Sequence, residues 1–425
     1  MKKKTVFAAP FYLMAALCVT GCGLNNNFDD PFPSTDGGIE LTRDQLELVK
    51  RSNDFALDLF RKITTPQESE SLDTKSYIIS PISITYALGM LNNGAAGNTQ
   101  AQINKVLGFG DFGADSINSF CKKMMDVAPK LDSLTKVMIS NNIYLNENYR
   151  LKDDFVRKAK TYYYAEPETR DFGDGQTMDV INKWASDHTE KMIPKVLDQN
   201  TFDPAAVSYL LNAIYFKGTW KYKFDKNYTL DEDFYLAGNT REMKTIPMMH
   251  QTEDFYYAQT NDYQALRLPY GNGSYQMTVL LPISDSKYYI LPQVPDKETW
   301  NKLNSKMKKT RVDVKLPRFE TDTDIDLPEI MSQLGMPDAF SPSLADFSKF
   351  CETPTYIELM KQVAKIKLDE EGSEAAAVTI IGMKYTSTGE STPEYVTFYA
   401  NHPFLYIITE NSTGAIFFIG RYTGK

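Results

Sequence analysis

The stretch Leu368 to Glu390, LDEEGSEAAAVTIIGMKYTSTGE, opens acidic, passes through three alanines and turns β-branched before a Thr/Ser/Gly tail. Laid out as a strand, its side chains alternate between two faces. One face carries Ser373, Ala375, Ala377, Thr379, Ile381, Met383 and Tyr385. The other carries Glu374, Ala376, Val378, Ile380, Gly382 and Lys384, so both charges fall on this second face. The first face is uncharged, small at its beginning and larger later, the binary pattern of a strand with one buried face. Small residues come first, where a chain entering an existing sheet must pass between its neighbours. A static edge strand carries the same pattern, so the flanking sequence has to decide between the two.

Outward from this stretch the chain changes texture. Thr42-Arg-Asp-Gln45 is a capping box that opens a helix with Leu46, Val49, Ala56, Leu59 and Ile63 on one face. Ser80-Pro81 predicts a second helix, with Ser80 as N-cap and Pro at the first helical position, stopped by Gly94. Asn98 is expected to cap a third helix running through Leu107, and another helix carries Ile181, Trp184 and Ala185. From about Ala206 strands take over. AVSYLLNAIYF suits a buried strand. QALRLPY and YQMTVLLP flank Gly271-Asn-Gly-Ser274 as a hairpin. RVDVKLP and AKIKLD alternate, and Asp326 to Leu334 reads as a short helix ended by Gly335. EYVTFYANHPFLYIITE and GAIFFIGRY are strongly strand-forming. The fold class is therefore α+β, helices first and a large, mainly antiparallel sheet system second.

The net charge of −9 gives no electrostatic support to nucleic-acid binding. Lys2, Lys3 and Lys4, an apolar run to Val19 and then Thr20-Gly21-Cys22 form a secretory leader, too short for a membrane-spanning helix. The leader resembles bacterial lipoprotein signals. That resemblance implies cleavage after residue 21, lipidation of Cys22, and a protein tethered to a bacterial cell envelope. Residues 22–40, with Asn25 to Gly38 rich in Asn, Asp, Pro and Gly, read as a flexible tether, and 41–425 as the folded domain. Export permits a disulfide between Cys121 and Cys351, but free or buried thiols are the favoured reading.

Several motifs fail on inspection. Gly108-Phe-Gly110-Asp-Phe-Gly113 fits GxGxxG but follows a helix, which makes it a C-cap and loop. Asp322, Asp324 and Asp326 imitate an EF-hand start, yet Leu327 stands where glycine is required and Gln333 where glutamate is. His188, His250 and His402 are scattered, and no serine sits in GxSxG. No metal or cofactor is called for, and an enzyme is the weaker class.

Long, ordered motifs then carry a family resemblance. FYANHPFLYII, from Phe398 to Ile408, resembles the signature of the serpin family. NNGAAGNTQAQINKVLGF, SPISITYALGML, INKWASDHTEKMIPKVL, LLNAIYFKGTW and LPRFETD follow the same family's order, and the likeness spans about Leu41 to Arg421. It implies a single domain of helices and three β-sheets with an exposed reactive-centre loop at about 370–394. It also implies a function. A protease attacks the loop as an acyl-enzyme, and the cut loop inserts as a new strand in the main sheet; serpin loop insertion is one of the standard cases of strand addition and released strain.

By that resemblance Glu370, Gly372, Ser373, Glu374, Ala375, Ala376, Ala377, Val378 and Thr379 form the hinge. The family's usual spacing puts the reactive bond between Thr386 and Ser387. The loop here is longer than usual, which leaves Tyr385 and Lys384 open as alternatives, suited to chymotrypsin-like and trypsin-like pockets. Ser80, Ser83 and Asn212 match the shutter beneath the opening sheet, and Trp220 the aromatic at its top. Gln362 stands where the family often has histidine; it keeps the hydrogen bonding but removes a protonation switch. The expected partner is a serine protease, with cysteine proteases a further possibility, met by a monomer carrying lipid on Cys22. The competing readings are a non-inhibitory serpin that binds without trapping and an unrelated envelope enzyme.

Overall fold

The computed structural model describes residues 37–65, 74–238, 242–283, 291–373 and 395–425. Helices α1 (Arg43–Thr64), α2 (Pro81–Asn92), α3 (Gly97–Leu107), α4 (Ala114–Val127), α5 (Asp153–Tyr163) and α6 (Thr177–Asp187) occupy the first half. Helices α7 (Lys297–Ser305) and α8 (Pro328–Leu334) lie among the later strands. The strands are β1 (Tyr77–Ile79), β2 (Thr135–Asn146), β3 (Glu168–Arg170), β4 (Ser208–Thr219), β5 (Leu230–Tyr235), β6 (Met243–Gln259), β7 (Tyr263–Tyr270) and β8 (Tyr275–Pro282). They continue as β9 (Lys308–Pro317), β10 (Phe319–Asp326), β11 (Leu359–Asp369), β12 (Gly372–Ser373), β13 (Val396–Tyr399), β14 (Phe404–Glu410) and β15 (Ile416–Tyr422).

Most local signals act as the sequence predicts. The Thr42 hydroxyl accepts from the Gln45 amide and the Gln45 side chain accepts in return, closing the capping box of α1. Gly108 ends α3 in the left-handed region at φ +70°, so the GxGxxG stretch is a helix stop. The hairpin β7–β8 turns where expected, with Tyr270 opposite Tyr275. Cys121 and Cys351 are both free and buried. Three details differ. Helix α3 starts at Gly97 after Ala96, and the Asn98 amide donates to Asp338 Oδ2 at 2.6 Å instead of capping. The helix expected from Asp326 starts at Pro328, where the ring fixes the first helical φ, while Asp326 ends β10. Ser80 precedes α2 as expected but forms no side-chain cap, because its buried hydroxyl donates to the carbonyl of Phe417 at 2.7 Å.

Two hydrogen-bonded sheets hold the described strands. The first runs β10-β11-β12-β4-β2-β3, and the second runs β1-β15-β14-β8-β7-β6-β9-β13 with β5 also on β6. The three sheets implied by the family resemblance appear as two networks for a simple reason. The 17-residue β6 runs unbroken, pairing with β5 at its start and with β7 at its end, so it joins what would be the second and third sheets.

The core explains why these strands read as they do. Every residue of α2 is buried, which fits a helix apolar on all sides at the centre of a large domain. It lies between α1 and the two sheets, in a cluster with Phe60, Phe216 and Phe418. On the other side of the first sheet, Ile181 and Ala185 of α6 pack on Tyr209 and Leu211 of β4. Both faces of β4 are covered, hence its unbroken apolar run.

Candidate functional site

The first sheet is built around a parting between β4 and β11. These strands pair in parallel from Leu359 opposite Tyr209 to Val363 opposite Ala213. At the other end β12 lies between them, with Ser373 facing both Leu368 and Gly218, and Gly372 facing both Asp369 and Thr219. In between, Ala364–Lys367 of β11 and Ile214–Lys217 of β4 have no pairing with each other among the described residues. Their far edges are occupied, by β10 and β2 respectively. An unpaired strand edge is a template for another strand, and here two such edges face one another.

Glycine is required where the hinge enters. Gly372 has φ +145°, and an added Cβ would lie 2.0 Å from the carbonyl oxygen of Gly218. Gly218 itself leaves room for the Tyr270 ring, which a Cβ there would meet at 2.7 Å. Ser373 is fully buried, and its hydroxyl lies 2.6 Å from that of Tyr270. Burial pushes the Tyr270 phenol far above its ordinary value, so it stays a neutral hydrogen-bonding group. Trp220 stacks on Tyr270 with ring centroids 4.4 Å apart, and its indole N–H donates to the Asp369 carbonyl at 3.0 Å.

The turn before the hinge is held by charge. Glu370, with a side chain only 2% exposed, pairs with Arg318 and accepts from the Thr229 hydroxyl at 2.7 Å. Burial works to raise its pKa, but these hydrogen bonds outweigh it and hold the carboxyl below its ordinary value. Glu371 pairs with Lys223 at 2.7 Å and Lys226 at 3.5 Å, and the Lys223 hydrogen bond is the main reason its carboxyl is also lowered. The amides of Trp220 and Phe224 donate to the carbonyls of Glu371 and Glu370.

At the closed end of the parting, the residues expected at the shutter meet. Gln362 Nε2 lies 2.6 Å from Asn212 Oδ1, 2.9 Å from Ser83 Oγ and 3.0 Å from the Ser80 carbonyl, and Gln362 Oε1 accepts from the Ser80 amide. Asn212 also donates to Asn141 Oδ1 at 2.6 Å. The cluster is buried, so every broken bond inside it leaves a polar group unsatisfied unless something replaces it.

Thus Ser80, Ser83, Asn212 and Gln362 form one cluster, while Trp220, Glu370, Gly372 and Ser373 form another. Glu374, Ala375, Ala376, Ala377, Val378 and Thr379, the bond candidates Lys384, Tyr385, Thr386 and Ser387, and Cys22 lie outside the described residues. Sequence reasoning did not identify Tyr270, Arg318, Thr229 or Lys223 as hinge partners. Arg318 stood inside a quoted motif, but nothing local marked it as the counter-ion of Glu370. Among the described residues no group of acidic, cysteine and histidine side chains could hold a metal ion, and Asp322 and Asp324 lie on β10.

Comparison with known proteins places this architecture. The family model described as "Serpin (serine protease inhibitor)" matches residues 50–424. Leukocyte elastase inhibitor of Xenopus tropicalis is 33% identical over 379 residues, covering 87% of this chain and 97% of the relative. Human serpin B3 is 31% identical over 404 residues, covering 88% of this chain and 99% of the relative. The solved native state of tengpin, a thermophilic serpin, is 28% identical with a TM-score of 0.79, over 91% of this chain and 95% of that one. The chain belongs to the serpin family. Protease inhibitors are among its relatives, as the name of the Xenopus protein states.

Proposed function

We propose that this chain is a suicide inhibitor of serine proteases that traps the acyl-enzyme by inserting its cut loop between β4 and β11. The observation that carries the reading is the parting itself: β12 already lies in its mouth, and the facing edges of Ala364–Lys367 and Ile214–Lys217 are unpaired among the described residues. The target's serine oxygen bonds to the carbonyl carbon of Thr386, or of Tyr385 or Lys384. The amine of the next residue leaves with a proton. The freed N-terminal piece then continues the register that β12 has begun.

That register has a consequence. Ser373 faces Gly218 and Leu368. Counting on antiparallel to both strands brings Thr379 opposite Asn212 and Gln362, on the same face as Ser373. Insertion breaks the Gln362–Asn212 hydrogen bond, and the Thr379 hydroxyl arrives where it can satisfy both. About a dozen inserted residues add backbone hydrogen bonds of ~0.5–1.5 kcal/mol net each. A gain on the order of 10 kcal/mol is enough to deform a partner stable by ~5–15 kcal/mol. The acyl chemistry extends the reading to cysteine proteases.

The same proposal includes a leader at 1–21, lipid on Cys22, a monomer and a place in a bacterial cell envelope. Its tether ends short of the residue 40 expected from sequence, because Ile39 is buried in the core and its amide donates to Ser412 Oγ at 2.8 Å. The leader's three lysines, apolar run and Gly21-Cys22 support it. A binding role without trapping is the second reading. It is favoured by the likeness to thyroxine-binding globulin solved with thyroxine, 25% identical with a TM-score of 0.77 over 89% of this chain and 99% of that one. Calorimetry before and after a single cut in 384–387 tests the insertion step on which the first reading depends. Insertion predicts a cut protein that melts higher than the intact one; a cut that leaves the melting temperature unchanged or lowers it sinks the inhibitory reading.

A further inference from the structure

The parting fixes one root of the loop; the other root is β13, an edge strand hydrogen-bonded only to β9 among the described residues. Its pairing is short, from Val396 opposite Val312 to Tyr399 opposite Lys315. Phe398 points into the core and is fully buried. The opposite face carries Tyr399. The Tyr399 hydroxyl donates to Asp313 Oδ2 at 2.6 Å, the one side-chain hydrogen bond that leaves this strand among the described residues.

Asp313 is built into three strands. Its Oδ1 meets His250 Nε2 at 2.7 Å and accepts from the Thr252 hydroxyl at 2.8 Å, both from β6, and the residue is 5% exposed. Lys315 lies over the Tyr399 ring at 5.0 Å and pairs with Glu232 of β5 at 2.6 Å. Burial tends to raise the Asp313 carboxyl, but the bonds from Tyr399, His250 and Thr252 hold it below its ordinary value. Tyr399 is pushed up to about 12, first by its hydrogen bond to Asp313. Hydrogen bonds to a charged acceptor are roughly twice as strong as neutral ones. For a strand carried by so few backbone pairs, one such bond is a large share of what keeps it seated.

We propose that Asp313 is a positioning residue for the loop's C-terminal root, acting through Tyr399 to hold β13 on β9. The clasp fixes where the chain re-enters the fold at β13. Its functional consequence rests on the insertion reading above: with β13 released, the uncut loop is free to follow β12 into the parting, and the bait is lost.

Hydrogen exchange followed by mass spectrometry on the full mature chain tests the clasp without any protease. Tyr399→Phe, which removes the bond, is expected to speed exchange of the 396–399 amides about ten-fold, as for loss of one hydrogen bond to a charged group. Asp313→Asn, which keeps an acceptor oxygen but removes its charge, is expected to speed it less. The double variant is expected to exceed Tyr399→Phe alone by less than Asp313→Asn exceeds the parent, because without the hydroxyl the charge on Asp313 has no bond to strengthen. Unchanged exchange at 396–399 in Tyr399→Phe, which keeps the ring in place, overturns the proposal even if Asp313→Asn fails to fold. Additive effects overturn it too, since they mean that Asp313 acts through another contact. The half-life of inhibitory activity is a separate arm. Faster exchange with an unchanged half-life overturns the link to the bait. A parent protein that inhibits nothing removes the insertion reading but leaves the exchange result standing.

Discussion

The hydroxyls of Ser373 and Tyr270, separated by 103 positions in sequence, lie 2.6 Å apart in a fully buried site. This bond fixes the first inward-facing side chain of the loop against the mouth of the sheet. Tyr270→Phe leaves the Ser373 hydroxyl buried without that partner, at a cost of ~1–3 kcal/mol. Urea denaturation of the variant is expected to show that loss, with increased proteolysis near residue 373. An unchanged midpoint would mean that the hinge finds another partner or does not depend on this one.

Gly372→Ala is expected to be costlier than an ordinary glycine change. It combines a left-handed backbone, worth ~1–3 kcal/mol in strain, with a Cβ placed 2.0 Å from the Gly218 carbonyl oxygen. The backbone of β4 cannot yield as a flexible side chain would, so β12 is expected to leave the sheet. Loss of amide protection at Gly372 and Ser373, with β2 and β10 unaffected, is the predicted exchange pattern.

Glu370 sets a pH dependence whose sign follows from its lowered pKa. The folded state prefers the ionised form, so its stabilisation is present above the ordinary glutamate pKa of ~4.3 and is lost as pH falls through the lowered folded value. Glu370→Gln is expected to be less stable than the parent at neutral pH, with the two curves converging below the ordinary carboxylate range. Parallel curves across the acid limb would assign the Glu370 contribution to packing instead.

Gln362 carries no charge, so opening of the parting is expected to be independent of pH near neutrality as far as this residue is concerned. Gln362→His introduces a group of pKa ~6.5 when unfolded. Burial disfavours its charged form and lowers its folded pKa. Its neutral form therefore stabilises the fold above that range, and stability falls as pH drops below it. A stability profile for Gln362→His that stays flat between pH 8 and 5 would mean the imidazole is not confined to the Ser80–Ser83–Asn212 cluster.

Much of this fold is legible in the sequence because the governing signals are local. The capping box at Thr42, the left-handed stop at Gly108 and the turn between Tyr270 and Tyr275 each depend on a few adjacent residues. The buried run of β4 is legible because both its faces are covered. What escapes is set by register between distant strands. Arg318 meets Glu370 only because β10 and β11 align as they do, and Asp313 meets Tyr399 through the short pairing of β13 on β9. Ser80 shows the same limit from the other side: its position before Pro81 predicts a cap, yet the nearby Phe417 carbonyl takes the hydroxyl. Family resemblance supplied the hinge and shutter residues, but not the partners that hold them.

Trapping by insertion leaves a covalent product that can be seen on a gel. The protein is incubated in turn with trypsin-, chymotrypsin-, elastase- and subtilisin-like proteases, alongside Ser373→Arg, and resolved on a denaturing gel with mass analysis of the released C-terminal peptide. Insertion predicts a denaturation-stable complex with at least one protease, a peptide starting after Lys384, Tyr385 or Thr386, and cleavage without complex in Ser373→Arg. Cleavage of the parent without complex by every protease, or a complex that persists unchanged in Ser373→Arg, would contradict it.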